Sequence, residues 1–376
     1  MAVRLKAMAQ RFFILLSSIL AFLFLLTWLG AYLHPSRWWF ISLLGLGFPV
    51  LLAIQFLFII FWLLVRPKYV FIPLITLLIG WRSISVFFSW NSNITFQQQK
   101  PKDALRVLSW NVARFIELNR NNNKGSQTRL KMLEQIKQQN ADIVCMQEFY
   151  HSTDTSRYNN IRYFKEKLGY PYFCFSWDPD GDKQWFGQAI FSRYPIIDSG
   201  LVHYPKPSQS ETLIYADVAY NGDTIRMYTT HLQSVGFKKP DYERIEKIKN
   251  REERMLENSR NIFSKLKRAA IIRAVQTDIV KEVLATSPHP YIITGDFNDV
   301  PNSYTYFTIK SNGLQDAFLQ KGFGIGRTFT GIAPTLRIDY ILPTEDFRVL
   351  QFNRIVKDYS DHYMLLADVK LSSLSP

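Results

Sequence analysis

Residues 291–301 read Tyr-Ile-Ile-Thr-Gly-Asp-Phe-Asn-Asp-Val-Pro. Aromatic and β-branched residues fill the first four positions, as in a buried strand, and Gly295 stops the run. Asp296, Asn298 and Asp299 then follow within four residues. Taken alone, the stretch reads as a strand running into an Asx-rich turn. Other segments repeat the pattern. "LRVLSWNV" delivers Asn111, "ADIVCMQE" delivers Gln147 and Glu148, and "IRMYTTHLQS" delivers His231. "LRIDYIL" carries Asp339, and "YSDHYML" carries Asp361 and His362. Strand ends that gather polar groups on one rim are where sites form in layered α/β domains.

Working outward, apolar strands are expected at Leu105–Trp110, Asp142–Met146, Ile225–Thr229 and Tyr291–Thr294, with weaker candidates at Ala189–Phe191, Leu213–Ala219 and Ile338–Leu342. Helical spacing covers Arg129–Gln139 and a long stretch from Tyr242 to about Ala285. Strands and helices alternate, but several strands follow one another directly, which points to a mixed-sheet α/β domain rather than a simple doubly wound one. "DPDGDKQ" (178–184) lacks the twelve-residue spacing and closing Glu of a calcium loop and is read as a turn. Cys145 and Cys174 are the only cysteines, too few for a structural zinc site or a disulfide framework. Cys145 is read as a small core residue.

Charge and hydropathy divide the chain. Residues 1–90 hold seven Lys or Arg and no acid, half of the net +14 of the 376-residue chain. Phe12–Leu33 and Phe40–Val65 are uncharged apolar runs, each long enough at 1.5 Å per residue to cross a bilayer. Trp38, Trp39, Trp81 and Trp90 stand at segment ends, where an indole prefers the membrane interface. Tyr69–Trp81 is shorter; extended to Phe88 it reaches spanning length and takes in Arg82, whose long side chain can snorkel. Residues 1–90 are therefore expected to be a transmembrane anchor of two to three helices, with the lipid bilayer as partner. Basic residues at the N-terminus and at Arg66 and Lys68 favour the cytoplasmic side. Three spans, the preferred count, make a multi-pass membrane protein with the rest of the chain extracytoplasmic; two would keep it inside. The spans contain no acidic residue and little polarity, which argues against a transporter or channel.

Residues 91–102 read as a polar linker containing a formal sequon, Asn93-Ile94-Thr95, and residues 103–376 as a soluble domain. Residues 238–273 carry twelve Lys or Arg against six Asp or Glu. They are either a solvated mixed-charge helix or a basic face for an anionic substrate or lipid headgroups.

The motifs "WNV" (110–112), "MQE" (146–148), "GQAIFSRYPI" (187–196), "THL" (230–232), "GDFN" (295–298), "RIDYIL" (337–342) and "SDH" (360–362) occur in that order. This set resembles the endonuclease/exonuclease/phosphatase superfamily, which includes pancreatic-type deoxyribonuclease, apurinic endonucleases, neutral sphingomyelinases and inositol polyphosphate phosphatases. The resemblance covers roughly residues 103–372. It implies an α/β fold, a four-layered α/β/β/α sandwich with two mixed sheets. It also implies that Glu148 binds a divalent cation, with Asn111 close by and Asp361 assisting. Oxygen ligands without a Cys/His cluster suit Mg²⁺ or Mn²⁺. By the same resemblance Asp296 activates the attacking water, Asn298 donates to a phosphoryl oxygen, and His362, oriented by Asp339, contacts the phosphate. His231 stands where the deoxyribonuclease and sphingomyelinase branches place a catalytic, substrate-contacting histidine. Ala113 and Arg114 follow "WNV" where apurinic endonucleases have an acid, which argues against a DNA-repair role. "GQAIFSRYPI" reads as a structural signature with Arg193 on the surface.

The expected function is a membrane-anchored, Mg²⁺-dependent phosphodiesterase, nuclease-type or sphingomyelinase-like, acting on nucleic acid or lipid headgroups. The alternatives are a phosphomonoesterase of the same fold and a catalytically inert tethered binding module. No protein partner is expected.

Overall fold

The computed structural model describes residues 2–91, 95–121, 124–206, 212–249 and 255–372; Asn93 and Ile94 of the sequon lie outside them. Two compact units emerge. One comprises Met1–Phe88, Val235–Ala274 and Val300–Phe307, the other Ser89–Ser234, Val275–Asp299 and Thr308–Pro376. Two later segments, 235–274 and 300–307, thus group with the N-terminal helices.

The second unit is a sandwich. Its strands are β1 (Leu105–Asn111), β2 (Ile143–Ser152), β3 (Tyr172–Phe175), β4 (Gln184–Ser192), β5 (Ile196–His203), β6 (Thr212–Tyr220), β7 (Asp223–His231), β8 (Tyr291–Asp296), β9 (Asp339–Pro343), β10 (Phe347–Ile355) and β11 (Met364–Leu371). One sheet runs β10-β11-β1-β2-β4-β3, with Asp178–Pro179 also paired to β4; the other runs β9-β8-β7-β6-β5. Both are mixed: β1 lies parallel to β2 and β7 parallel to β8, while the other pairs are antiparallel. Alternation along each strand sends Val107, Cys145 and Ile190 to an inner core shared with Ile214, Met227, Ile292 and Ile341 of the facing sheet. The intervening Leu108, Trp110, Val144 and Met146 face outward, against Met132, Leu133 and Ile136 of α6 (Thr128–Gln139) and Phe164 of α7 (Asn160–Glu166). A helical layer also comes from residues 275–285, where Val280 and Leu284 are buried.

The strand and helix expectations around the motifs hold within a few residues. Cys145 is fully buried, and burial pushes its thiol up to about 12. Residues 178–184 form a turn, with the Asp180 N–H donating to the Gln184 carbonyl. The described part of the expected linker is tied to the sandwich: the Gln97 N–H donates to Gln351 Oε1, and Arg106 donates to the Gln98 carbonyl.

In the first unit, Arg4–Gly30 and Pro35–Val65 are long and apolar enough to cross a membrane. They correspond to α1 (Ala2–Gly30), and to α2 (Pro35–Leu44) and α3 (Phe48–Val65), which are joined by a 3₁₀ turn. Leu15, Ile19 and Phe22 on α1 and Leu57, Ile60 and Leu64 on α3 are exposed, as lipid-facing residues should be. Inside, Trp62 Nε1 donates to Ser17 Oγ. The third apolar segment, which contains α4 (Phe71–Ile79) and α5 (Trp81–Phe87), is bent by 65° between Pro67–Ile79 and Trp81–Phe87. The bend falls at Gly80, where a Cβ would lie 2.4 Å from the fully buried Phe24 ring. At one end of this unit Gln10 Nε2 donates to the Tyr69 hydroxyl. At the other, Arg82 donates to the Tyr32 hydroxyl and Phe87 packs edge-on against Phe48. Residues 67–87 thus run beside α1 in its own direction, and Phe88 leaves at the end where α1 finishes.

The expected long helix comprises α8 (Lys239–Lys249) and α9 (Met255–Ala285), with residues 250–254 outside the described set. Within the first unit α9 meets α2: Phe263 packs edge-on against Trp39 at 5.5 Å, and Lys267 Nζ lies 4.5 Å from the Trp39 ring centroid. In residues 300–307, Asn302 Nδ2 donates to the Gly45 carbonyl and Tyr304 packs on His34.

Candidate active site

Register brings the polar strand ends of the sandwich together. Asp296, the last residue of β8, pairs with His231 on β7 and with Asp339 on β9. Paired residues share a sheet face, so one rung carries a carboxylate, an imidazole and a second carboxylate. The close approach of β7 and β8 requires Gly295, with φ +143° and no room for a Cβ, which would sit 2.0 Å from the Thr230 carbonyl oxygen.

On the facing sheet, Asn111 ends β1 on its inner face and pairs with Gln147 of β2. Plain alternation would send Glu148 outward, away from the site. A β-bulge between Met146 and Phe149 resets the phase, and Glu148 takes φ +52°. Met146 and Phe149 remain in the outer core while Glu148 turns to the site. A strained stretch follows Asn111, where Ala113, Arg114, Phe115 and Ile116 all have φ between +42° and +63°. Arg114 there pairs with Asp180 at 2.8 Å and stacks over Phe186.

The hub is Asp296, 1% exposed. Its Oδ2 accepts from Asn111 Nδ2 at 3.1 Å, and its Oδ1 accepts from the Asn298 backbone N–H at 2.8 Å. Two imidazoles face the same Oδ2, His362 Nε2 at 3.5 Å and His231 Nε2 at 3.6 Å. Asn111 Nδ2 also donates to Glu148 Oε1 at 3.2 Å, which lies 4.0 Å from His231 Nε2. Asn111 Oδ1 accepts from the Ala113 N–H, so the amide presents its nitrogen, not its oxygen, to the two carboxylates.

His362 is held by the buried Asp339, whose oxygens lie 2.9 and 3.0 Å from Nδ1. Burial alone would lower the imidazole's pKa. The carboxylates of Asp339 and Asp296 outweigh it, raise it to about 10 and keep the ring charged. Burial dominates for Asp339 and, against the opposing charge of His362, lifts it to about 6. Asn298, with φ +52°, donates one amide hydrogen to the Leu232 carbonyl and has a second to offer.

Six expected site residues are thus joined by direct contacts: Asn111, Glu148, His231, Asp296, Asp339 and His362. Asn298 adjoins them through the Asp296 carboxylate. Asp361 is exposed; it meets Ser360 Oγ and lines a cavity of about 340 Å³ with Ile116 and Tyr359, and among the described residues it contacts neither Glu148 nor Asn111. Arg193 donates to Asn140 and stacks on Tyr170, a structural role. A supporting residue outside the motifs is Thr328, whose Oγ1 accepts from the Asp339 N–H; within "WNV", the Trp110 indole N–H donates to the His362 carbonyl. Ser360 Oγ also donates to the Asn111 carbonyl. Thr328 lies in a Gly-, Arg- and Thr-rich stretch with no strand pattern, so nothing local marks it.

Two places are candidates for a metal: one cluster of Asp and His atoms, and the Glu148 carboxylate. Ligand atoms of Asp296, Asp339 and His362 lie within 4.8 Å of one another. His362, however, already gives Nδ1 to Asp339, and its Nε2 faces the Asp296 carboxylate. Glu148 fits a hard divalent cation better. Its side chain keeps 30% exposure, and among the described residues no Lys or Arg neutralises it.

The model of the Endonuclease/Exonuclease/phosphatase family matches residues 108–362, and that of a domain of unknown function matches residues 10–87. No curated protein matches the chain. Solved structures with this fold include an endonuclease/exonuclease/phosphatase from Beutenbergia cavernae, 20% identical over 72% of each chain with TM-score 0.51. A family protein from Leptotrichia buccalis is 18% identical, covering 71% of this chain and 100% of that one, with TM-score 0.51. The human Nocturnin catalytic domain, solved with a bound sulfate anion, is 19% identical, covering 72% of this chain and 94% of that one, with TM-score 0.50. At these identities the likeness is one of fold.

Proposed function

The chain belongs to the endonuclease/exonuclease/phosphatase family, and on that premise we propose that it is a membrane-anchored, divalent-metal-dependent phosphodiesterase. The observation that carries this reading is the buried Asp296 carboxylate, faced by two imidazoles and held by two N–H donors.

Asp296, fixed at both oxygens, takes the proton of an attacking water. His362, charged and oriented by Asp339, donates through Nε2 to a phosphoryl oxygen. His231 and the second amide hydrogen of Asn298 are further donors, and preorganised donors of this kind stabilise spread negative charge. Glu148 would hold Mg²⁺ or Mn²⁺. When bound, the cation supplies charge neutralisation on the phosphoryl and leaving oxygens. A diester carries one negative charge and a monoester close to two. Among the described residues no Lys or Arg touches the six joined residues, which suits the diester.

The substrate class follows from where the positive charge lies. A nucleic-acid backbone needs a basic groove. Here the described basic residues of 238–249 and 255–273 group with the apolar N-terminal helices. A lipid phosphodiester is therefore the preferred substrate. The direction of residues 67–87 beside α1 supports three crossings. With Arg4, Lys6, Arg11, Arg66 and Lys68 on the cytoplasmic side, the sandwich is extracytoplasmic.

The test uses the full chain in lipid discs with Mg²⁺, offered a chromogenic phosphodiester, phospholipid vesicles, DNA and a phosphomonoester. Diester cleavage is expected to vanish with chelator and return with Mg²⁺. Glu148→Gln should raise the Mg²⁺ needed by roughly tenfold or more. Absence of metal-dependent hydrolysis of every compound would refute the proposal, and activity on DNA alone would move the substrate to nucleic acid.

The pH profile is a second check. Below about 6 Asp339 is protonated and no longer holds the charge and orientation of His362. kcat/KM should fall on that acid side, and Asp339→Asn should remove the limb while lowering the plateau. Because His362 keeps its proton up to about 10, this histidine should cause no decline between pH 7 and 9. A basic limb there that disappears in Asp339→Asn would contradict the assignment.

A further inference from the structure

Within the unit of apolar helices, the first half of α9 combines three features. Arg260, Lys267 and Arg268 are exposed, and among the described residues none of them pairs with a carboxylate. This sets them apart from Arg244 and Lys265, which Asp241 engages at 2.9 and 2.6 Å. Phe263 is 48% exposed, although one edge of its ring packs on Trp39. At helical spacing Arg260, Phe263 and Lys267 fall on one face. The surface that this face meets is the start of the second candidate span: Trp39 takes both Phe263 and Lys267, while its neighbours Trp38 and Phe40 are 43% and 44% exposed. Exposed indole and phenyl rings beside unpaired cations, at the end of a spanning helix, match the layer where acyl chains give way to phosphates.

We infer that residues 255–274 of α9 lie in the membrane interface and bind anionic phospholipid headgroups, with Phe263 among the upper acyl chains and Arg260, Lys267 and Arg268 on the phosphates. This rests on the reading that α1 and α2–α3 span the membrane. It makes the basic segment a membrane contact in its own right rather than a solvated charge run. Each cation should contribute roughly fivefold to headgroup binding, and raised salt should weaken all three together.

The experiment places an environment-sensitive fluorophore on a Ser264→Cys variant of the full chain, with the half-buried Cys174 changed to Ala. The chain is reconstituted in discs of phosphatidylcholine alone or with added phosphatidylglycerol. A second label, at the exposed Ile19 in mid-α1, reports the span. The expected result is a blue-shifted label at 264, several-fold less accessible to a water-soluble quencher in the anionic discs than in the neutral ones. Arg260→Glu/Lys267→Glu/Arg268→Glu should abolish the difference, and high salt should do so without any substitution. A label at 264 that stays equally wet in both discs, while the label at 19 reads hydrocarbon, overturns this inference alone. A wet label at both positions overturns the anchor with it.

Discussion

Asp296→Asn is expected to lower kcat on a phosphodiester by roughly 10³-fold or more at saturating Mg²⁺, with little loss of stability. Asparagine has the same shape, and its Oδ1 can still accept from the Asn298 N–H. The other branch cannot be kept. An amide nitrogen there would confront Asn111 Nδ2, a donor 3.1 Å away. The variant also loses the negative charge that both His231 and His362 face, and with it the group that takes the proton from water. Asp299→Asn is the control within the same motif. The Asp299 backbone carbonyl accepts from the Tyr340 hydroxyl, and among the described residues the Asp299 side chain meets none of the six joined site residues, so the substitution should change kcat by no more than about threefold. Steady-state kinetics of the two variants, with thermal midpoints alongside, provide the check. Equal losses would mean that the carboxylates of this turn act through its shape and that Asp296 is not the base.

Much of this arrangement is visible in the sequence because each functional side chain sits at the end of a strong apolar strand. "LRVLSWN", "IRMYTTH" and "YIITGD" are strands in the structure to within a residue or two. Convergence of their ends is a consequence of strand order, which the motif set implied and alternation alone does not. Glu148 shows the limit. Its orientation depends on a bulge and a positive φ, and the only local sign is two polar residues in a row after an apolar run. The support that Thr328 gives to Asp339 crosses eleven residues of irregular chain and has no periodicity to betray it. The same holds for α9. Its charge and helical spacing are plain in the sequence, whereas its packing on Trp39 joins residues more than two hundred positions apart. Composition could therefore offer a solvated helix and a headgroup-binding face but could not choose between them. Asn111 lies beside Glu148, and the orientation of its amide, fixed by the Ala113 N–H, makes it a bridge between the carboxylates of Glu148 and Asp296, a detail with no sign in the sequence.

Gly295→Ala should be the most damaging single-methyl change in the sandwich, lowering stability by roughly 3 kcal/mol or more and removing nearly all activity from whatever folds. Two costs act together. At φ +143° an L-residue other than glycine is strained, and the added Cβ would sit 2.0 Å from the Thr230 carbonyl oxygen, a backbone atom with no rotamer to escape into. Relief requires β8 to move away from β7 at the Gly295–Thr230 rung, next to the one that sets Asp296 against His231. A shift of about 1 Å there would spoil proton transfer even if the core reclosed. Chemical denaturation should show a lowered midpoint, and kinetics on the folded fraction a fall comparable to that of Asp296→Asn. Gly222, in the turn between β6 and β7, provides the contrast. It too has a positive φ of +94°, but a Cβ there would meet nothing within 4 Å, so Gly222→Ala should show the strain cost alone and leave kcat near normal. If Gly222→Ala and Gly295→Ala lose activity alike, the site does not depend on the close approach of β7 and β8.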